Sequence, residues 1–150
     1  MALLLPRPLL AERLDDSLSP RQQYDIDLDW KHVQHADDLG ESDFNALVAH
    51  ARRVEVRLNT APYTGRQARI YIRLPLNVRG TADSTALRMS WTTNGDFASG
   101  SLTAGNRSKL FEGEITRDVM GDSFDFTFEL DARQVYNTLR LQPVYEIETY

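Results

Sequence analysis

Three groups of residues combine types and spacings that chemistry could use. The first is Asp25-x-Asp27-x-Asp29, alternating carboxylates of the kind that open a helix–loop–helix calcium site. Such a loop needs glycine at its sixth position and a bidentate glutamate at its twelfth. Here those positions hold Trp30 and Ala36, and the hydrophobes between the aspartates demand a strand. The second group is His32 and His35, with Asp37, Asp38 and Glu41 nearby. A zinc site wants three or four convergent ligands, and His32-x-x-His35 supplies two. His32, His35 and Asp37 therefore stand as weak metal candidates, read more economically as solvated loop residues. No metal and no cofactor is expected.

The third group is Tyr63, Arg66, Arg69, Tyr71 and Arg73. Guanidinium groups pair bidentately with carboxylates, and tyrosine rings offer planar apolar area at small entropic cost. Together they form a candidate surface for a glycan or an anionic ligand. The structural alternative is that the arginines pair with the aspartate strand or flank Glu55, which would set strand register.

Parts needed for other chemistries are missing. There is no cysteine, no Gly-x-Ser-x-Gly elbow and no His-Glu-x-x-His helix. Gly95, Gly100 and Gly105 belong to hairpins and precede no helix that could hold phosphate. Glu112, Glu114, Asp125 and Glu129 could supply a carboxylate pair for hydrolysis, although acids in strands ordinarily form a solvated face. The chain is expected not to be an enzyme.

The elements that would position these groups are mostly strands. Tyr24, Ile26, Leu28 and Trp30 alternate with the aspartates at period two, the mark of a half-buried strand. The same alternation recurs at Val54–Val56–Leu58, Ile70–Ile72–Leu74, Leu87–Met89–Trp91 and Phe124–Phe126–Phe128–Leu130. Asn94-Gly95 is the strongest hairpin signal, with a return strand over 97–102. Gly113 suggests a bulge in the strand 109–116, with Leu110 and Ile115 inward. Pro143 interrupts the last strand and marks an edge or a bulge. Phe44, Leu47, Val48 and Ala51 fall at helical spacing, which predicts one short helix over 44–52. Trp30 and Trp91 are expected in the core.

Composition agrees with one ordinary domain. The chain has 150 residues, a net charge of −5, 41% hydrophobic and 26% charged residues. A domain of this size buries roughly 68–70% of its unfolded surface, enough to stand without metal or disulfides. The acidic balance argues against nucleic-acid binding, which needs surplus lysine and arginine. No stretch approaches the ~20 apolar residues of a membrane helix. The first twenty residues lack the pattern of a signal peptide and are expected to be a flexible or partner-docking arm. Residues 21–150 are expected to form a single domain.

The predicted fold is an all-β antiparallel sandwich of about eight strands with one short helix, of the immunoglobulin-like Greek-key kind in architecture. The expected function is a non-catalytic module for protein–protein interaction or self-association. A carbohydrate- or small-ligand-binding module is the alternative, and a small carboxylate hydrolase is the third reading. A periplasmic or extracellular location is slightly favoured over the cytoplasm.

Overall fold

The computed structural model describes residues 11–19, 24–26, 46–75, 79–81, 87–131 and 135–150. Eleven strands account for most of them: β1 (Glu12–Arg13), β2 (Tyr24–Ile26), β3 (Ala46–Asn59), β4 (Gln67–Arg73), β5 (Arg79–Thr81), β6 (Arg88–Thr93), β7 (Gly100–Thr103), β8 (Arg107–Glu114), β9 (Val119–Asp131), β10 (Val135–Leu141) and β11 (Val144–Thr149). They pair antiparallel throughout, in a four-stranded sheet β1-β11-β4-β8, a second four-stranded sheet β3-β9-β6-β7, and a three-stranded sheet β2-β10-β5. The all-β sandwich is as expected. Most neighbours are distant in sequence, so crossovers rather than simple hairpins build both larger sheets.

The core follows from the alternation. Val56, Leu58, Ile70, Ile72, Met89, Trp91, Phe124, Phe126 and Phe128 are buried, while Glu55, Arg57, Arg73, Arg88, Asp125 and Glu129 are exposed. Period two sends one set to each side of its sheet. Along β9 the three phenylalanines stack in series, with ring centroids 5.3 Å apart for Phe124–Phe126 and 5.9 Å for Phe126–Phe128. Phe97 tilts against Phe124 at 6.0 Å. Leu110 and Ile115 point inward as expected.

Several expectations are corrected. The segment read as a helix over 44–52 enters β3, which runs without interruption of the strand from Ala46 to Asn59. Its alanines lie in register with large aromatics of β9: Ala49 opposite Phe128 and Ala51 opposite Phe126. Pairing with that phenylalanine-rich strand outweighs a helical spacing that rested on four residues. The strand bulge lies at Leu110 rather than Gly113. Ile70 pairs with Phe111 and Tyr71 with Lys109, so Leu110 is the extra residue. Its side chain drops into the core, and its carbonyl accepts the Ala98 N–H at 2.8 Å.

Pro143 marks neither an edge strand nor a bulge. It is buried between β10 and β11, where the chain leaves one sheet for another, and β11 lies between β1 and β4. A residue without an N–H fits that break in the ladder. The Asn94-Gly95 turn is not a two-residue hairpin either. Trp91 pairs with Gly100, and the residues between form a wider loop.

Residues 11–19, within the segment expected as an arm, lie against both larger sheets. β1 pairs with β11, Leu14 is 2% exposed, and its N–H reaches the Tyr145 carbonyl at 2.8 Å. Asn59 then donates to the Asp15 carbonyl at 2.9 Å, and the Arg57 N–H donates to Ser19 Oγ at 2.6 Å. Residues 12–19 therefore strap β11 of the first sheet to β3 of the second. They are part of the sandwich. Trp30, Asp27, Asp29, His32, His35 and Asp37 lie outside the described residues. Within them, Asp25 is in register with Arg140 on β10.

Candidate functional site

Outward positions of β4, β8 and β11 form one face. Arg69, Tyr71 and Arg73 project from β4 at alternate positions, as the sequence requires. Glu146 and Glu148 of β11 lie in register with Tyr71 and Arg69, and Lys109 and Glu112 of β8 with Tyr71 and Arg69 on the other side. The charges settle among themselves. Arg69 Nε donates to Glu112 Oε1 at 2.7 Å, and Lys109 Nζ to Glu112 Oε2 at 2.7 Å. Arg107 reaches Glu148 at 2.9 Å, and Arg73 stands 3.8 Å from Glu146.

Aromatic rings complete this ladder. The Arg107 guanidinium lies 3.9 Å from the centre of the Tyr71 ring, and Arg69 lies 4.4 Å from that of Tyr150. Tyr71 Oη donates to Glu148 Oε2 at 3.3 Å. Lys109 first, then Arg69, hold the Glu112 carboxyl below its ordinary pKa through hydrogen bonds to its charged form. Burial, followed by the nearby Glu148 charge, pushes the Tyr71 hydroxyl up. The arginines expected to flank Glu55 do so in part, since Arg57 contacts it at 2.6 Å.

Of the five residues singled out from sequence, Arg69, Tyr71 and Arg73 share this face. Tyr63 is the last residue of the 3-10 turn Ala61–Tyr63, and Arg66 lies just before β4. Tyr63 Oη donates to Glu12 Oε2 at 2.8 Å, and burial raises its pKa, with Glu12 adding to the effect. The turn is closed by Gly65, whose φ of +86° suits a residue without Cβ.

The four carboxylates considered for hydrolysis separate. Glu112 and Glu114 belong to β8 in the first sheet, Asp125 and Glu129 to β9 in the second. Exposed side chains on two sheets that share a core face opposite ways, so the two pairs do not converge. Among the described residues no group of three or more His, Asp or Glu could hold a metal ion. No helix among them is long and apolar enough to cross a membrane.

Two features went unread in the sequence. Asp122 stands at an inward phase of β9, opposite buried Val56. Its carboxylate accepts N–H bonds from Gly95 (3.0 Å), Phe97 (3.2 Å), Asn94 (3.3 Å) and Ser123 (2.7 Å). It thus gathers the loop after β6, and a Cβ at Gly95 would come within 3.1 Å of it. Trp91 Nε1 ties the same loop by donating to the Ala98 carbonyl at 2.9 Å. The signal available was an aspartate breaking an otherwise apolar inward series, Met120–Asp122–Phe124.

The second feature is a groove of about 360 Å³ on the outer face of the second sheet, lined by His50, Arg52, Ser90, Thr92, Asp125 and Thr127 together with Trp91 and Phe126. Beside it β3 bulges: Ala51 faces Phe126 and Val54 faces Phe124, leaving Arg52 and Arg53 opposite Asp125. Arg53 takes a φ of +55°, and its N–H donates to Asp125 Oδ1 at 2.8 Å. His50 Nδ1 lies 3.1 Å from Thr127 Oγ1.

No family model matches this chain, and no curated protein matches it. Among solved structures, an arabinose-bound α-L-arabinofuranosidase of glycoside hydrolase family 51 aligns at 14% identity with a TM-score of 0.28, over 94% of this chain and 27% of that one. That likeness is too slight to carry an argument about activity. The chain spans about a quarter of that enzyme's length.

Proposed function

We propose that this chain is a non-catalytic β-sandwich module that binds another protein or another copy of itself. The observation that carries the reading is the outer face of the first sheet. It is a sheet surface in which tyrosine and arginine alternate with glutamate, and its cations are already held in place by the glutamates. Tyrosine and arginine dominate the energetics of protein interfaces, because they present large area with little freedom left to lose. Ordered ion pairs and stacked guanidinium groups lower the ordering cost further. Tyr150, 52% exposed, stands at the open end of this face.

A photo-reactive residue placed at Tyr150 tests the reading in the cells that make the protein. The control is the same residue at Asp96, in the loop of the second sheet. Adducts of defined mass from position 150 and none from 96 are expected. Equal labelling from both positions, or adducts from neither, would overturn it. Sedimentation velocity on the purified chain then tells self-association from a foreign partner.

A further inference from the structure

We infer that the groove beside the β3 bulge is a binding site for a small sugar acid, a ligand that carries one carboxylate and several hydroxyls. The inference is independent of the interaction face, which lies on the other sheet.

The groove exists because β3 departs from regular pairing. A bulge adds one residue to one strand, bends it and increases its twist. Here the departure also requires Arg53 to occupy the left-handed region, which is unfavourable for an L-residue with a Cβ. Glycine would remove that cost, and the sequence has arginine. Asp125 compensates by taking the Arg53 N–H on Oδ1, standing in for a missing carbonyl of β9. Strained backbone held by a specific side chain beside a cavity is the usual signature of a site kept for use rather than for stability.

The lining groups decide the ligand. Arg52 makes no ion pair among the described residues, although every arginine on the interaction face of the first sheet does. A guanidinium with an open fork at a groove matches a carboxylate bidentately. Opposite it, Asp125 spends Oδ1 on Arg53 and keeps Oδ2 as an acceptor for a ligand hydroxyl. Ser90, Thr92 and Thr127 add hydroxyls that both donate and accept. His50, also on the lining, holds its Nδ1 3.1 Å from Thr127 Oγ1. One cation, one anion and a ring of hydroxyl groups suit a ligand that is anionic at one end and hydroxylated along its length. Trp91 and Phe126 also line the groove, so its wall is mixed, which suits a carbon ring bearing hydroxyls and one carboxylate. The volume of about 360 Å³ falls at the small end of the range for ligand sites, which fits a single ring rather than a chain.

The test is titration of the isotope-labelled full chain with D-glucuronate, D-glucose and acetate, read on backbone amides. Glucuronate is expected to shift the amides of residues 50–53, 90–92 and 125–127, with a Kd tighter than either comparison compound by about tenfold. Arg52→Ala should weaken glucuronate binding about tenfold and leave the spectrum otherwise folded. Thr127→Val should weaken it by a few-fold. Arg53→Gly, which relieves the strain without touching the lining, checks that the bulge itself is tolerated. Glucose or acetate binding as tightly as glucuronate would overturn the inference. So would shifts confined to the face of Arg69 and Tyr71, or no shift in the groove amides when glucuronate is carried past about 10 mM.

Discussion

On the outer face of the first sheet, Arg69, Arg73, Arg107 and Lys109 each meet a glutamate, and two of the arginines also cover tyrosine rings. On the outer face of the second, Arg52 and Asp125 line one groove without pairing, beside a strained bulge. Both faces arise from the same period-two alternation, and both carry acids and arginines. They differ in what the neighbouring strands bring opposite. β11 and β8 deliver Glu148 and Glu112 in register with Arg69, and Glu146 within 3.8 Å of Arg73, so charge is consumed in holding the sheet. β6 brings Ser90 and Thr92 opposite Thr127 and Asp125, and its one outward charge, Arg88, lies opposite Glu129 farther along, so no β6 cation faces Asp125. The cross-strand partner thus decides whether a polar face presents fixed ion pairs, as the proposed interaction face does, or unpaired charge, as the groove does.

Substitutions can break this contrast. The largest effect is expected at Asp122→Ala, which frees three N–H groups of the loop at the end of the second sheet and that of Ser123 in β9. Bonds to a charged acceptor are individually worth about 1.5–3 kcal/mol, and partial exposure reduces them, so a loss of about 2 kcal/mol is expected by urea denaturation. Next is Glu148→Ala on the first face. Its side chain is only 12% exposed and engages both Arg107 and Tyr71, and a loss of about 1–2 kcal/mol should appear in the same measurement.

Arg53→Gly works in the opposite direction. Relief of the left-handed strain is partly offset by the greater freedom of glycine in the unfolded chain, leaving a gain of about 0.5–1 kcal/mol. A loss instead would show that the Arg53 side chain matters to the fold. Smaller still is the pH effect at Glu112. Its native pKa lies below the unfolded value, so its contribution is present above the unfolded carboxylate range and is lost as pH falls through the native pKa. Glu112→Gln should flatten the acid limb of stability there and leave neutral pH almost unchanged. The smallest effect is expected at Arg52→Ala, within about 0.5 kcal/mol, because no partner is abandoned. A large loss there would erase the distinction between the two faces.

How much of this was legible in the sequence follows the range of the interactions. Strands such as β4 and β9 were plain because alternation is a local property, and Trp91 and Leu110 fell inward as their phase required. β3 was misread because four apolar positions fit a helix as well as they fit part of a strand. The arbiter, the phenylalanine series of β9, lies some seventy residues away by register. Arg69, Tyr71 and Arg73 alternate on one strand, and so their common face is legible from spacing. Their partners Glu112, Glu146 and Glu148 come from two other strands, which no spacing announces. The groove depended on a bulge at Arg52–Arg53, two residues that carry no glycine or proline to mark it. His32, His35 and Asp37 lie outside the described residues and remain weak candidates by spacing alone.

The position of β11 has a kinetic consequence. It enters between β1 and β4, so the first sheet joins residues 12–13 to residues 144–149 and cannot close until that late segment has left the ribosome. Until then β4 presents an unpaired edge bearing Ile70 and Ile72. A chain whose ladders link segments so far apart has a high contact order and belongs to the slow class of folders. The nascent protein thus spends an aggregation-prone interval waiting for β11, and a chaperone that shields exposed strand edges would shorten the hazard rather than the folding itself.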